Sequence, residues 1–266
     1  MNLTSIRIPV FYRWAEILAV GFLLHLAVSG LWPTLRPHGA IAFLLLFFLS
    51  VQRRPLLFSM VLVVSLWHWL PSMFSNFVFA PVFHFLLPIL LTLPVFLFVP
   101  RSAEHLAVWK KGEIDSVSIF FSILLVVVSA LALLLWASIS NNLGAGLGLV
   151  RDLHEIPKLY LYFFVPVFAL FIATVEEVTY RGIVQGGLSS VFTEAWYLPI
   201  FLSALLFASA HFANGFPNGP WGFAMTFFYG LGLGYLRWRT GGLLLSFVSH
   251  FCADLVIGFV LVFLAG

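Results

Sequence analysis

The sequence predicts an all-α protein, a polytopic transmembrane bundle of eight or nine helices, and three observations predict it. Hydrophobic residues fill 62% of the 266 positions and charged residues only 9%, where a soluble domain would carry ~25% charged residues. The apolar runs are long, unbroken and rich in Leu and Phe, far longer than the ~10 alternating residues of a barrel strand. Most charges gather in short connectors between the runs. Lipid admits only helices or closed barrels, because every backbone group must be bonded within the protein.

The runs fall at about 14–32, 38–52, 55–71, 78–99, 116–139, 158–180, 196–213, 219–236 and 242–264. The first follows Arg7 and Arg13, exceeds a signal-peptide core and lacks a small-residue cleavage site, so it reads as a retained span. The second and third are short and separated by Arg53-Arg54-Pro55. They suit a helical hairpin that need not cross fully, hence eight or nine. Residues 101–115, with Glu104, His105, Lys110, Lys111, Glu113 and Asp115, form the longest charged loop. They divide the chain into N-terminal transmembrane helices over 1–115, to which no role is assigned, and a core over 116–266. The stretch Asn141-Asn-Leu-Gly-Ala-Gly-Leu-Gly148 is a flexible connector, since no Lys-Ser/Thr follows as a phosphate loop requires.

Nine spans starting from a cytoplasmic N-terminus put Arg7, Arg13, Arg53, Arg54, Arg101, Lys110, Lys111, Arg181, Arg237 and Arg239 inside, against Arg36, Arg151 and Lys158 outside. That bias predicts an inner-membrane protein with its N-terminus in the cytoplasm. Trp14, Trp32, Trp136, Trp196 and Trp238 fall near span ends, as an interfacial belt requires. The basic residues are scattered, so the expected partners are the bilayer and a membrane-anchored peptide or protein, with no nucleic acid. Cys252, the single cysteine, permits no internal disulfide and reads as a small buried residue.

Of ten acidic residues, only Glu176, Glu177 and Asp254 lie well inside apolar runs. A charge there costs at least ~2.5–3.5 kcal/mol on insertion scales, which makes an intramembrane carboxylate a functional candidate. Glu177 and Arg181, four apart, share a helix face and can pair. One arginine cannot serve two adjacent carboxylates in a low-dielectric site, so Glu176 is left free to act as a general base. Phe207-x-x-x-His211 and His250-x-x-x-Asp254 give two further polar faces, and a shared water-filled interior would explain all three. The bland alternative is a structural ion pair with helix-packing histidines, the reading preferred for His25, His68 and His84, which lack a nearby carboxylate in sequence. His154-Glu155 does not open a zinc-protease motif, because position 158 is Lys and Pro157 intervenes. Gly187-Leu-Ser189-Ser190-Val191 lacks the closing glycine of a nucleophile elbow.

Glu176-Glu177-Val-Thr-Tyr-Arg181-Gly182, Leu206-Phe207-Ala-Ser-Ala-His211-Phe212, Thr240-Gly-Gly-Leu and Ser249-His250-Phe-Cys-Ala-Asp254 together resemble the ordered motifs of the CPBP family, over about residues 158–264. This is the CAAX-protease and bacteriocin-processing, or Abi, group of glutamate-dependent intramembrane proteases. The resemblance implies that Glu176 activates the attacking water with help from His211, that Glu177 and Arg181 fix local structure by pairing, and that His250 and Asp254 steady the oxyanion. Where the family often has Asn, this chain has Asp254, which donates a hydrogen bond only when protonated and otherwise orients His250. No cofactor is expected; if Zn²⁺ is used, Glu176, His211, His250 and Asp254 form the ligand set. The implied activity is hydrolysis of a peptide bond in a membrane-associated substrate, such as a prenylated CAAX tail or a C-terminal sorting or processing signal. The alternative is a non-proteolytic scaffold or bacteriocin-immunity factor of the same family. A proton-coupled transporter would need a repeated half or matched broken helices, and neither is visible. Simple antiparallel spans put Glu176 and His211 at opposite depths, so for them to meet the helix must run on through Gly182 and Gly186, or the next span must tilt.

Overall fold

A computed structural model of the chain describes residues 110–140, 157–214, 217 and 219–264, with 59–64 and the single positions Glu16, Leu18, Val20, Gly21 and Leu90. Every regular element among the described residues is helical. The expected spans 14–32, 38–52 and 78–99 lie almost wholly outside these residues, as does the Asn141–Gly148 connector, and 55–71 is described only over 59–64.

Helix α1 spans Ser116–Ser140. Its first turn is closed by Asp115, whose Oδ1 accepts from the Ser118 N–H at 2.7 Å, the N-cap arrangement that satisfies an otherwise orphaned donor. Helix α2 spans Lys158–Glu176 and continues through Pro166. It passes directly into an eight-residue π-helix, Glu177–Val184, every residue of which is buried. Helix α3, Gln185–Val191, completes the run. Together they form one apolar helix of 34 residues. The run expected over 158–180 therefore extends eleven residues further, through Gly182 and Gly186 to Val191. Arg181, counted above among the inside-loop charges, is a mid-helix residue 1% exposed. It leaves that tally, because a side chain sealed in the bundle reports nothing about which loops face the cytoplasm.

Helix α4 spans Tyr197–Asn214, α5 Gly219–Thr240 and α6 Leu244–Leu264. Pro220 occupies the first turn of α5, where its missing N–H has no intrahelical partner to lose. α5 is the inner helix of the group. A Cβ at Gly230 would stand 3.2 Å from Ala204 and Phe207 of α4, and one at Gly234 2.9 Å from Ile200. The small residues thus let the two backbones approach, as membrane helices favour. α6 packs on α2 through Leu161, Val165 and Val262. Residues Met60, Val61, Val63 and Val64 pack into the same buried cluster as Val178, Tyr180, Ile183 and Phe207, so part of the N-terminal region lies directly against the π-helix.

At one end, two backbone bonds clasp the segment before α1 to the α5–α6 turn: Glu113 N–H to Thr240 O, 2.8 Å, and Leu243 N–H to Lys110 O, 2.9 Å. Arg239 reinforces the clasp, giving Nη2 to Asp115 Oδ2 at 2.7 Å and Nε to Ser118 Oγ at 3.0 Å. The outer faces are apolar: α1 exposes Phe120, Ile123, Val127, Leu131 and Leu135, and α2 exposes Leu159, Phe163, Phe164 and Val167. Two helical stretches, Ser116–Trp136 and Lys158–Val191, are long and apolar enough to cross a membrane, and lipid is the solvent in which such exposed faces cost nothing.

Candidate active site

The polar groups meet where the π-helix faces α4, α5 and α6. Arg181 Nη1 lies 3.0 Å from Glu177 Oε1 in an ion pair whose side chains are each 1% exposed. The guanidinium also sits 4.5 Å from the centroid of the Phe207 ring, and its Nη2 donates to Gly230 O at 3.4 Å. Only such multiple satisfaction makes a buried ion tolerable.

His250, on α6, joins the two halves of the cluster. Its Nδ1 is 2.8 Å from Glu177 Oε1, while Nε2 is 3.4 Å from Glu176 Oε2 and 3.8 Å from Asp254 Oδ2. The two adjacent glutamates are thereby told apart. Glu177 is held by both Arg181 and His250, whereas Glu176 lies beside the far nitrogen of the imidazole and its side chain keeps 10% exposure. Reading Glu177 as the partner of Arg181 alone missed the imidazole, because α6 lies some seventy residues away in sequence.

His211 lies in the last turn of α4. Its Nδ1 meets Phe207 O at 3.0 Å and its ring stands edge-on to Phe207 at 4.7 Å. Phe207 is the hub of the site, because its ring also contacts Tyr180 at 4.9 Å and His250 at 5.9 Å. No hydrogen bond or ion pair joins Glu176 to His211 among the described residues. The extended helix places Glu176, the nineteenth residue of α2, past the middle of its 34-residue run. Cys252 is half-buried, not buried, and stands on α6 two residues from His250.

Sequence reasoning overlooked Gln185, whose Nε2 donates to Gly234 O at 2.9 Å. The spacing was there to find, since Glu177, Arg181 and Gln185 recur every four residues along one stripe. It also overlooked Ser203, which donates to Tyr180 O at 2.8 Å and so takes up a carbonyl within the π-helix. Among the described residues no group of three or more His, Cys, Asp or Glu side chains converges on a point that a metal ion could occupy. His250 already commits Nδ1 to Glu177, and His211 turns Nδ1 to its own helix.

Residues 158–256 match the family model for Rce1-like type II CAAX prenyl endopeptidases. That segment is similar to the Rce1-like family. Glu176, Glu177, Arg181, His211, His250 and Asp254 all fall within the matched segment, and the match agrees with the CPBP resemblance. No curated protein and no solved structure matches the chain. The Rce1-like family is a membrane-embedded protease family, and with two helices of spanning length the chain is an integral membrane protein.

Proposed function

We propose that this protein is an intramembrane endopeptidase that hydrolyses a peptide bond in a membrane-associated substrate of the CAAX type, using a water activated by Glu176. The observation that carries the reading is the unequal treatment of the two glutamates by His250. Nδ1 is bonded to Glu177, and Nε2 is left beside Glu176.

Glu176 Oε2 takes a proton from the attacking water as the water oxygen bonds to the scissile carbonyl carbon. In this reading His211 serves as the water's second polar neighbour. In the doubly protonated imidazole both nitrogens donate, so Nδ1 holds Glu177 while Nε2 faces the developing oxyanion, with Asp254 orienting the ring. Donors already in place where charge develops are worth most in a water-poor site. The C–N bond then breaks as Glu176 passes its proton to the departing nitrogen, releasing an amine and a carboxylic acid that gives up its remaining proton to solvent. A positioned general base contributes ~10²–10⁴-fold. The protein sits in the cell inner membrane with its N-terminus cytoplasmic; removing Arg181 from the ten inside charges leaves nine against three, which keeps the sign of the bias.

The experiment is cleavage of prenylated CAAX peptides and of membrane-anchored C-terminal signal peptides by the purified protein in liposomes. Wild type should cleave one class and Glu176→Gln should lose at least ~10²-fold. Full activity of Glu176→Gln, in liposomes and in cells, would sink the enzyme reading and favour a scaffold or immunity role.

A further inference from the structure

The two nitrogens of His250 are held at one edge of the ring, at 2.8 Å and 3.4 Å from their carboxylates. The second contact is long and the terminal torsion of a histidine side chain is broad and roughly two-fold, so the two contacts leave the ring plane loosely held. Two aromatic rings supply the missing walls. Phe207 stands 5.9 Å from the imidazole at 78°, and Tyr229 stands 5.7 Å from it at 82°. Phe207 belongs to the Phe207-x-x-x-His211 pattern. Tyr229 belongs to no pattern in the sequence.

Tyr229 is placed to hold more than the ring. It sits on α5 directly before Gly230, the residue whose carbonyl receives Arg181. Its hydroxyl donates to the backbone carbonyl of Ser249, the residue before His250, at 3.3 Å. Ser249 is itself tied down, its Oγ standing 2.6 Å from Ser122 Oγ of α1 and 2.7 Å from Leu245 O. The phenol ring therefore bears on the imidazole while its far end is tethered to the same stretch of α6.

We propose that Tyr229 is a positioning residue whose ring holds the imidazole of His250 in the plane that gives Nδ1 to Glu177 and Nε2 to Glu176. It acts through His250 and does not itself meet the substrate. The kinetic consequence rests on the peptidase reading above, but the ring orientation does not.

The test uses the full chain in nanodiscs with ¹⁵N-labelled histidine, the His250 signal being assigned by its loss in His250→Gln. Wild type and Tyr229→Phe should show a protected Nδ1–H signal, and Tyr229→Leu should broaden or lose it. Tyr229→Met, of similar length but without a ring, repeats the test where the Leu variant does not fold. In the cleavage assay kcat should fall ~10–100-fold in Tyr229→Leu or Tyr229→Met with KM within about twofold, because misplacement by ~1 Å costs on the order of 10²-fold. Tyr229→Phe should stay within about threefold of wild type, since the wall is intact. An unchanged signal and kcat in the ringless variants would overturn the proposal, as would a Phe variant as impaired as the Leu variant, because the hydroxyl would then be the active part. If wild type cleaves nothing, the peptidase reading fails and the histidine signal still decides this one.

Discussion

His250 Nδ1 and Glu177 Oε1 stand 2.8 Å apart, and the same oxygen lies 3.0 Å from Arg181 Nη1. One carboxylate oxygen thus meets both the guanidinium of the π-helix and the imidazole of α6. Glu177→Gln keeps the shape but removes the charge, stranding a guanidinium that is 1% exposed. Breaking one side of a buried pair costs about 3–5 kcal/mol. The variant should unfold at clearly lower temperature in detergent and lose activity with it. A thermal midpoint equal to wild type would show that Arg181 has another counter-charge.

Arg181→Lys tests whether the charge alone is required. An ammonium can face Glu177 but cannot also lie flat over Phe207 and reach Gly230 O as the guanidinium does at 4.5 Å and 3.4 Å. The loss should be on the order of 2 kcal/mol, the scale of a desolvated cation–π contact. Calorimetric or fluorescence melts of the two proteins would measure it, and indistinguishable melts would remove the ring from the account.

Much of this arrangement was legible in the sequence, for reasons that can be given residue by residue. Buried charge is rare in an apolar run, so Glu176, Glu177 and Asp254 announced themselves. The four-residue spacing brought Glu177 onto Arg181 and singled out His211 and His250, to which the family resemblance gave roles. The extension to Val191 was harder to see, because Arg181 resembles a loop charge and Gly182 and Gly186 resemble a helix end. Their neighbours decide otherwise: Val178, Tyr180, Ile183 and Val184 pack on Phe207 and on Met60–Val64, and this burial carries the helix through. The bond from His250 to Glu177 and the place of Tyr229 depend on how α5 and α6 rotate against the π-helix. No local pattern encodes that rotation.

Gly242 closes the clasp between α1 and the α5–α6 turn. A Cβ there would overlap the backbone of Lys111 and Gly112, which cannot step aside as a flexible side chain could. Gly242→Ala should therefore break the bonds between Glu113 and Thr240 and between Leu243 and Lys110, at roughly 1–3 kcal/mol for the overpacking. Hydrogen exchange at Glu113 and Leu243 should accelerate in the variant. Unchanged protection at both amides would show that the turn can absorb the methyl group.

The same clasp should respond to acid. Ser118, bonding through its hydroxyl and its backbone N–H, holds the Asp115 carboxyl down at about 2 from an ordinary 3.8, and Arg239 adds to the effect. A carboxyl depressed by folding adds stability that is fully present above its unfolded value and lost as pH falls through the folded value. The contribution should thus be intact at pH 5 and above and fade between about pH 4 and pH 2. Asp115→Asn should melt below wild type at pH 6, and the two should converge towards pH 2. A gap independent of pH would mean that the ionised carboxylate of Asp115 is not the source of the difference.

His211 offers the sharpest division between a water held by side chains and a water held by a metal. It reaches the cluster through Phe207, with Nδ1 on the Phe207 carbonyl at 3.0 Å and the ring edge-on at 4.7 Å, so Nε2 is the nitrogen left to meet a water. In the glutamate mechanism, His211→Ala should lose ~10²-fold or more in cleavage while a strong chelator leaves wild type unchanged. A zinc mechanism gives the opposite second result: cleavage falls on chelation and returns with added Zn²⁺, as an open catalytic zinc site requires. Asp254→Leu separates the readings again, because removing a ligand should lower zinc affinity measured without substrate. Removing an orienting carboxylate should lower kcat and leave zinc binding untouched.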